Sequence, residues 1–117
     1  MNAARAAAPI YYQQKYEQVK SLWLTVVARA IWDYAKWKKA ERSDHRKEAS
    51  SARHFIFDDD GGLVAVCAVF DLDLDKVRHR AQILTPLQIR KIERVDRRMR
   101  DRMLLDSCYR DDGDDEH

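Results

Sequence analysis

Leu63-Val-Ala-Val-Cys-Ala-Val-Phe-Asp-Leu-Asp-Leu-Asp-Lys-Val-Arg-His-Arg-Ala-Gln-Ile-Leu84 reads as two short helices joined by a tight turn. Val64, Cys67 and Ala68 recur at helical spacing before Phe70, and Val77, Ala81 and Leu84 recur after Asp75. Asp71 stands where such a turn needs a residue tolerant of the left-handed region, and Asp73 is placed to N-cap the second helix. This hairpin predicts a helical architecture for the rest of the chain.

On its upstream side, Asp58-Asp-Asp-Gly-Gly62 is the clearest break in the sequence. Its carboxylates suit the positive N-terminal end of the helix that follows. Downstream, Thr85-Pro86 is a start signal, Thr as N-cap and Pro at the first helical position. The helix it opens is expected to run to about Leu105, with Leu87, Ile92, Val95, Met99 and Met103 buried. Its other side carries Arg90, Lys91, Arg94, Arg97, Arg98, Arg100 and Arg102, seven cations against Glu93, Asp96 and Asp101. Lys91, Arg94, Arg98 and Arg102 step by three and four and form a ridge. Residues 111–117 are acidic and read as a solvated, disordered tail on a domain of residues 1–110.

The N-terminal part begins with small, unpatterned residues, expected to be loosely packed up to about residue 10. From Tyr12 to Glu41 neither Gly nor Pro occurs, and Tyr16, Val19, Trp23, Val26, Ala30, Tyr34 and Trp37 make one apolar stripe. Leu24, Val27, Ile31 and Trp32 widen it. Such a helix would span roughly 45 Å, more than a small domain needs, which points to a second chain at one end or to a bend. A second helix, Asp44 to Phe57, carries Ala49, Ala52, Phe55 and Ile56 at helical spacing. The expected fold is all-α, with four to five helices, the long N-terminal one packed against the hairpin and the basic C-terminal helix.

The 117 residues, 45% of them hydrophobic, suit one folded domain. The net charge of +2 conceals the local imbalances just described. Cys67 and Cys108 form no recognisable framework and read as reduced thiols. No secretory signal pattern precedes Ile10. The longest apolar run falls short of the roughly 20 residues that cross a bilayer. A cytoplasmic protein without membrane contact is expected.

Catalytic and metal motifs fail on spacing. Asp71-Leu-Asp-Leu-Asp opens like a calcium loop, but Lys76 and Gln82 stand where that loop requires Gly and Glu. Cys67, His79 and Cys108 lack zinc-ligand spacing, and three adjacent carboxylates, Asp58 to Asp60, diverge. No phosphate-binding glycine loop or nucleophile elbow occurs. Neither an enzyme nor a cofactor is expected.

Binding remains. The segment from Leu63 to Leu84 resembles the helix-turn-helix family of DNA-binding proteins. Cys67 matches the small residue inside its first helix, Asp71 the turn residue, Leu72 the apolar residue after it, and Val77 the buried anchor of its second helix. The resemblance implies a recognition helix lying in the major groove of double-stranded DNA, with Lys76, Arg78, His79 and Arg80 facing bases and phosphates. Arg90, Lys91, Arg94, Arg97 and Arg98 would then contact the backbone. Such proteins are commonly dimeric regulators of transcription. In size and arginine content the chain also looks like the accessory proteins of bacteriophages and mobile elements. That class includes modules that bind a host protein, for which the aromatic face of Trp32, Tyr34 and Trp37 is the expected surface.

Overall fold

In the computed structural model the backbone is described for residues 2–111 and the side chains for residues 14–111. With no glycine before Gly61, one helix, α1 (Asn2–Trp37), runs for 36 residues. At 1.5 Å per residue it measures about 54 Å, which accounts for most of the 62 Å long axis of the molecule. It starts earlier than the sequence pattern predicted and ends four residues sooner. Five shorter helices follow: α2 (Ser43–Phe57), α3 (Gly62–Val69), α4 (Leu74–Ile83), α5 (Pro86–Ile92) and α6 (Arg97–Leu104). The all-α class is as expected, but the described residues form six helices. The acidic run after Asp111 lies outside the described residues.

The extra helix comes from a break in the expected last one. Asp96 accepts a hydrogen bond from the Met99 amide at 3.0 Å and so N-caps α6. The preceding turn tightens through Arg94 N–H to Lys91 O and Val95 N–H to Ile92 O, each 3.2 Å. The break rotates the two halves, so Ile92 is buried as predicted but Leu87 and Met99 are exposed, and Ile89, Leu104 and Leu105 are buried in their place. Thr85 and Gln88 form the capping box that starts α5.

The core gathers Val27 and Ile31 of α1, Ile56 of α2, Leu63 of α3, Leu72, Val77 of α4, Ile89 of α5, Leu104 of α6 and Cys108. On α1 the expectation holds for half of the stripe. Ala30 is buried and Tyr34 packs against the core, joined by Val27 and Ile31 from the residues read as widening the stripe, while Tyr16, Val19, Trp23 and Val26 are exposed. Helix α2 runs back along α1, with His45 stacked on Trp37 at 3.7 Å and Phe55 beside Val26. It therefore covers the C-terminal half of the stripe and leaves the N-terminal half bare.

The hairpin turn is built differently from the expected one. Asp73 does N-cap α4, accepting from the Lys76 amide at 3.1 Å. Asp71, however, is not left-handed; among the described residues the one non-glycine with positive φ is Ser107. Ser107 turns the chain back so that Tyr109 bridges Leu72, Asp73 N–H donates to Cys108 O, and Arg110 N–H donates to Asp71 O. The C-terminal segment thus takes up the polar backbone of the turn.

Between α2 and α3 the chain passes through two glycines of different meaning. A Cβ on Gly61 would lie 2.3 Å from His54 O and 2.6 Å from Phe55 O, both backbone atoms at the end of α2. A Cβ on Gly62 would meet only the Phe55 ring, at 2.6 Å. Gly61→Ala is therefore expected to cost about 3 kcal/mol and Gly62→Ala about 1 kcal/mol, since a ring rotates and a helix end does not. Urea denaturation of the two variants checks the order.

Candidate nucleic-acid interface

A helix ends with four carbonyls that no amide of its own reaches. In this fold several basic side chains from other elements supply the missing donors. Lys38 Nζ donates to Gln82 O at 2.8 Å and Leu84 O at 2.9 Å, at the end of α4. Partial burial there lowers the pKa of Lys38. Arg78 Nε donates to Ile56 O at 2.8 Å, at the end of α2, with Asp59 3.6 Å from its Nη2. Arg80 Nη2 donates to Met103 O at 2.7 Å, at the end of α6. Arg110 Nη2 donates to Cys67 O at 2.6 Å, near the end of α3. Each places positive charge at the negative end of a helix dipole.

The consequence for α4 is direct. Of the four side chains expected in a DNA groove, Arg78 and Arg80 turn inward onto carbonyls. Lys76 Nζ bonds Tyr109 O at 3.2 Å and Asp111 Oδ2 at 2.5 Å. His79 is the one that stands exposed. The strand-like segment Cys108 to Arg110 covers the α3–α4 turn, where a duplex would meet a recognition helix. Helical geometry already held this signal. With Val77, Ala81 and Leu84 on the buried face, at about 100° per residue, His79 points away while Arg78 and Arg80 fall on its two borders. From a border, a long stem runs along apolar surface to reach a carbonyl.

The cations of α5 and α6 behave oppositely. Arg90, Lys91, Arg94, Arg97, Arg98 and Arg102 are all exposed, and none has an ion-pair partner among the described residues. The acids that might have neutralised them are engaged elsewhere. Glu93 pairs with Lys36 of α1 at 2.6 Å, and Asp96 is the α6 cap. Arg97 and Arg98 moreover occupy the first turn of α6, where the dipole disfavours a cation by about 0.3–1 kcal/mol each. The ridge predicted on one helix is divided by the Glu93–Asp96 turn, yet its members stay together on one short segment and face solvent. Residues 36–47 form a more divided basic stretch: Lys36 and Lys38 are used inside and Arg42 pairs with Asp44 at 3.4 Å, while Lys39, Arg46 and Lys47 are exposed beside exposed Glu41 and Glu48.

The aromatic residues expected at a protein interface are largely taken up by internal packing. Tyr34 packs edge-on against Phe57, with ring centroids 5.0 Å apart, and Trp37 is covered by His45. Trp32 lies beneath the Arg29 and Arg100 guanidiniums. The exposed apolar surface is higher on α1, at Val19, Leu22, Trp23 and Val26, with Leu22 63% exposed, while Tyr16, also partly exposed, packs its ring on Phe70 at 5.8 Å.

Both cysteines are buried, and burial pushes their thiols up to about 11, so at neutral pH they are protonated and poor nucleophiles. The three acids at the end of α2 do not cap α3, whose N-cap is Gly61 with no side-chain bond. Asp58 instead sits 2.5 Å from His54 Nδ1. His54, Asp58 and Asp60 bring donor atoms within 4.8 Å of one another, close enough for one metal ion, but all three are exposed.

The bond to Asp58 raises the His54 pKa above its ordinary 6.5. A raised folded-state histidine pKa gives stability that is present below 6.5 and lost as pH rises through the folded value. A proton NMR titration is expected to find His54 above 6.5, and Asp58→Asn is expected to lower it toward that value, with Asp60 still raising it slightly.

Compared with protein-family models, with curated proteins and with solved structures, the chain matches none.

Proposed function

We propose that this protein is a small regulatory DNA-binding protein that grips the phosphate backbone with the α5–α6 segment. The observation that carries this is the group of six exposed cations, without ion-pair partners among the described residues, while two of the three nearby acids are held by other contacts. Five of the six are arginines, whose planar fork matches phosphate oxygens in pairs. Helix α4 then serves as scaffold, and sequence readout through it is not part of the proposal. Binding through phosphates is strongly salt-dependent, because each neutralised phosphate releases condensed counterions. With five or six contacts, the logarithm of the association constant is expected to fall with a slope of about −5 against log salt. Fluorescence anisotropy of a labelled mixed-sequence duplex measures it, and a slope near zero would remove the proposal.

The bare half of the α1 stripe favours a second feature, a homodimer or a protein partner on that face. Tyr16, Val19, Trp23 and Val26 continue the line that α2 covers lower down, so an apolar helix of another chain would extend the same packing. Leu22→Asp is expected to convert a dimer to a monomer in sedimentation velocity while leaving the thermal midpoint of the monomer unchanged. A wild type that is already monomeric at high concentration would leave a different partner chain as the occupant.

A further inference from the structure

Between α1 and α6 lies an open cleft of about 600 Å³, lined by Val26, Arg29, Trp32, Arg97, Arg100 and Asp101, with Thr25 and Leu104 at its edge. This volume is in the range of small-ligand sites, about 300–1,000 Å³. The lining holds three guanidiniums against one carboxylate. Arg29 is held by Asp33 at 3.1 Å and lies 4.3 Å from the Trp32 ring centre, so one planar cation is fixed in a stack. Arg100 lies 5.3 Å from the same ring, and Arg97 has no partner among the described residues. Two donors of the lining, Trp32 Nε1 and Arg100 Nε, are shut off from solvent with no acceptor. Closed to water, those two atoms are closed to a ligand in the cleft as well, which leaves the terminal guanidinium nitrogens of Arg97 and Arg100 for its polar contacts.

We infer that this cleft binds a nucleoside monophosphate, its phosphate held by Arg97 and Arg100 and its base laid against Arg29 and Val26. Arg29 is matched by Asp33, so Arg97 and Arg100 face the single carboxylate Asp101, and their two forks select the head group: a phosphate monoester offers three terminal oxygens to them, a carboxylate only two. The planar cation selects the body, since guanidinium faces stack on bases. The nucleotide can be free or be the phosphorylated 5′ end of a single strand, where the phosphate is still a monoester. This site goes beyond the duplex contact and shares only Arg97 with it.

The chain has three tryptophans, so Trp23→Phe with Trp37→Phe leaves Trp32 as the single reporter inside the cleft. Titration with AMP is expected to change Trp32 fluorescence saturably. Adenosine alone and inorganic phosphate alone should each bind at least tenfold more weakly. Arg100→Met should weaken AMP at least tenfold. Because Arg100 also packs on Trp32, exposed Arg97→Met serves as the second variant, with the same expected loss and an unchanged thermal midpoint. Competition by a short 5′-phosphorylated oligothymidylate would assign the nucleotide to a strand end, and its failure would assign it to the free pool. The inference is overturned by an unsaturable response to AMP, by adenosine or phosphate binding as well as AMP, or by Arg97→Met binding AMP like the parent. Duplex anisotropy on the wild type is a separate readout, so loss of one binding activity with the other intact identifies which proposal failed.

Discussion

Arg94→Glu with Arg98→Glu is expected to lower affinity for a mixed-sequence duplex at least 100-fold at about 50 mM salt, and to make the salt slope shallower by about two. Both side chains are exposed and without an ion-pair partner among the described residues, so neither substitution removes a contact within residues 14–111. The folded state should keep its thermal midpoint or gain slightly, because a carboxylate at position 98 suits the first turn of α6 better than a cation does. Reversal should act more strongly than neutralisation: Arg94→Gln with Arg98→Gln loses two phosphate contacts, while the Glu pair also repels the duplex. A slope unchanged by either pair would put the contact elsewhere on the molecule.

The second large effect is expected in stability, with binding left intact. Arg78→Met with Arg80→Met keeps both stems and deletes the donors to Ile56 O and Met103 O. A hydrogen bond from a charged group contributes about 1.5–3 kcal/mol. Part of this is offset, because Arg78 Nη2 and Arg80 Nε have no hydrogen-bond acceptor where they are buried, and a thioether carries no such penalty. The two sites close different helices, so their losses should roughly add, to about 3 kcal/mol, or about 10 °C in Tm for a chain of this size. Duplex affinity should stay within threefold. A groove-reading α4 would give the reverse, a large loss of affinity with little change in Tm.

These paired variants express how the chain sorts its positive charge. Its composition contains 22 basic residues against 20 acidic, which by itself distinguishes no surface. Sorting comes from tertiary structure: helix ends that meet the flank of another helix recruit cations, and the remainder face water. The two hairpin helices, the Asp73 cap and the Thr85-Pro86 start were legible because each depends on residues within one turn of itself. The Asp96 cap was equally local, but the apolar positions from Leu87 to Met103 suggested a continuous helix and obscured it. The end of α1 at Trp37 was not legible, since neither Gly nor Pro marks it. There the chain turns because His45 stacks on Trp37 and Lys38 closes α4. Which side of α1 forms the core also depended on α2, whose 15 residues cover only part of the apolar stripe. Of the candidate site, the α5–α6 cations were visible as a charge excess. That Glu93 would be drawn away by Lys36, 57 residues distant in sequence, was not.

Amide and arginine side-chain NMR spectra of the protein, recorded with and without a short duplex at low salt, test the division of roles most directly. Perturbations concentrated between Arg90 and Arg102, with the amides of Leu74 to Ile83 nearly still, are the expected result. Shifts strongest along Leu74 to Ile83 would contradict it and return the contact to the hairpin.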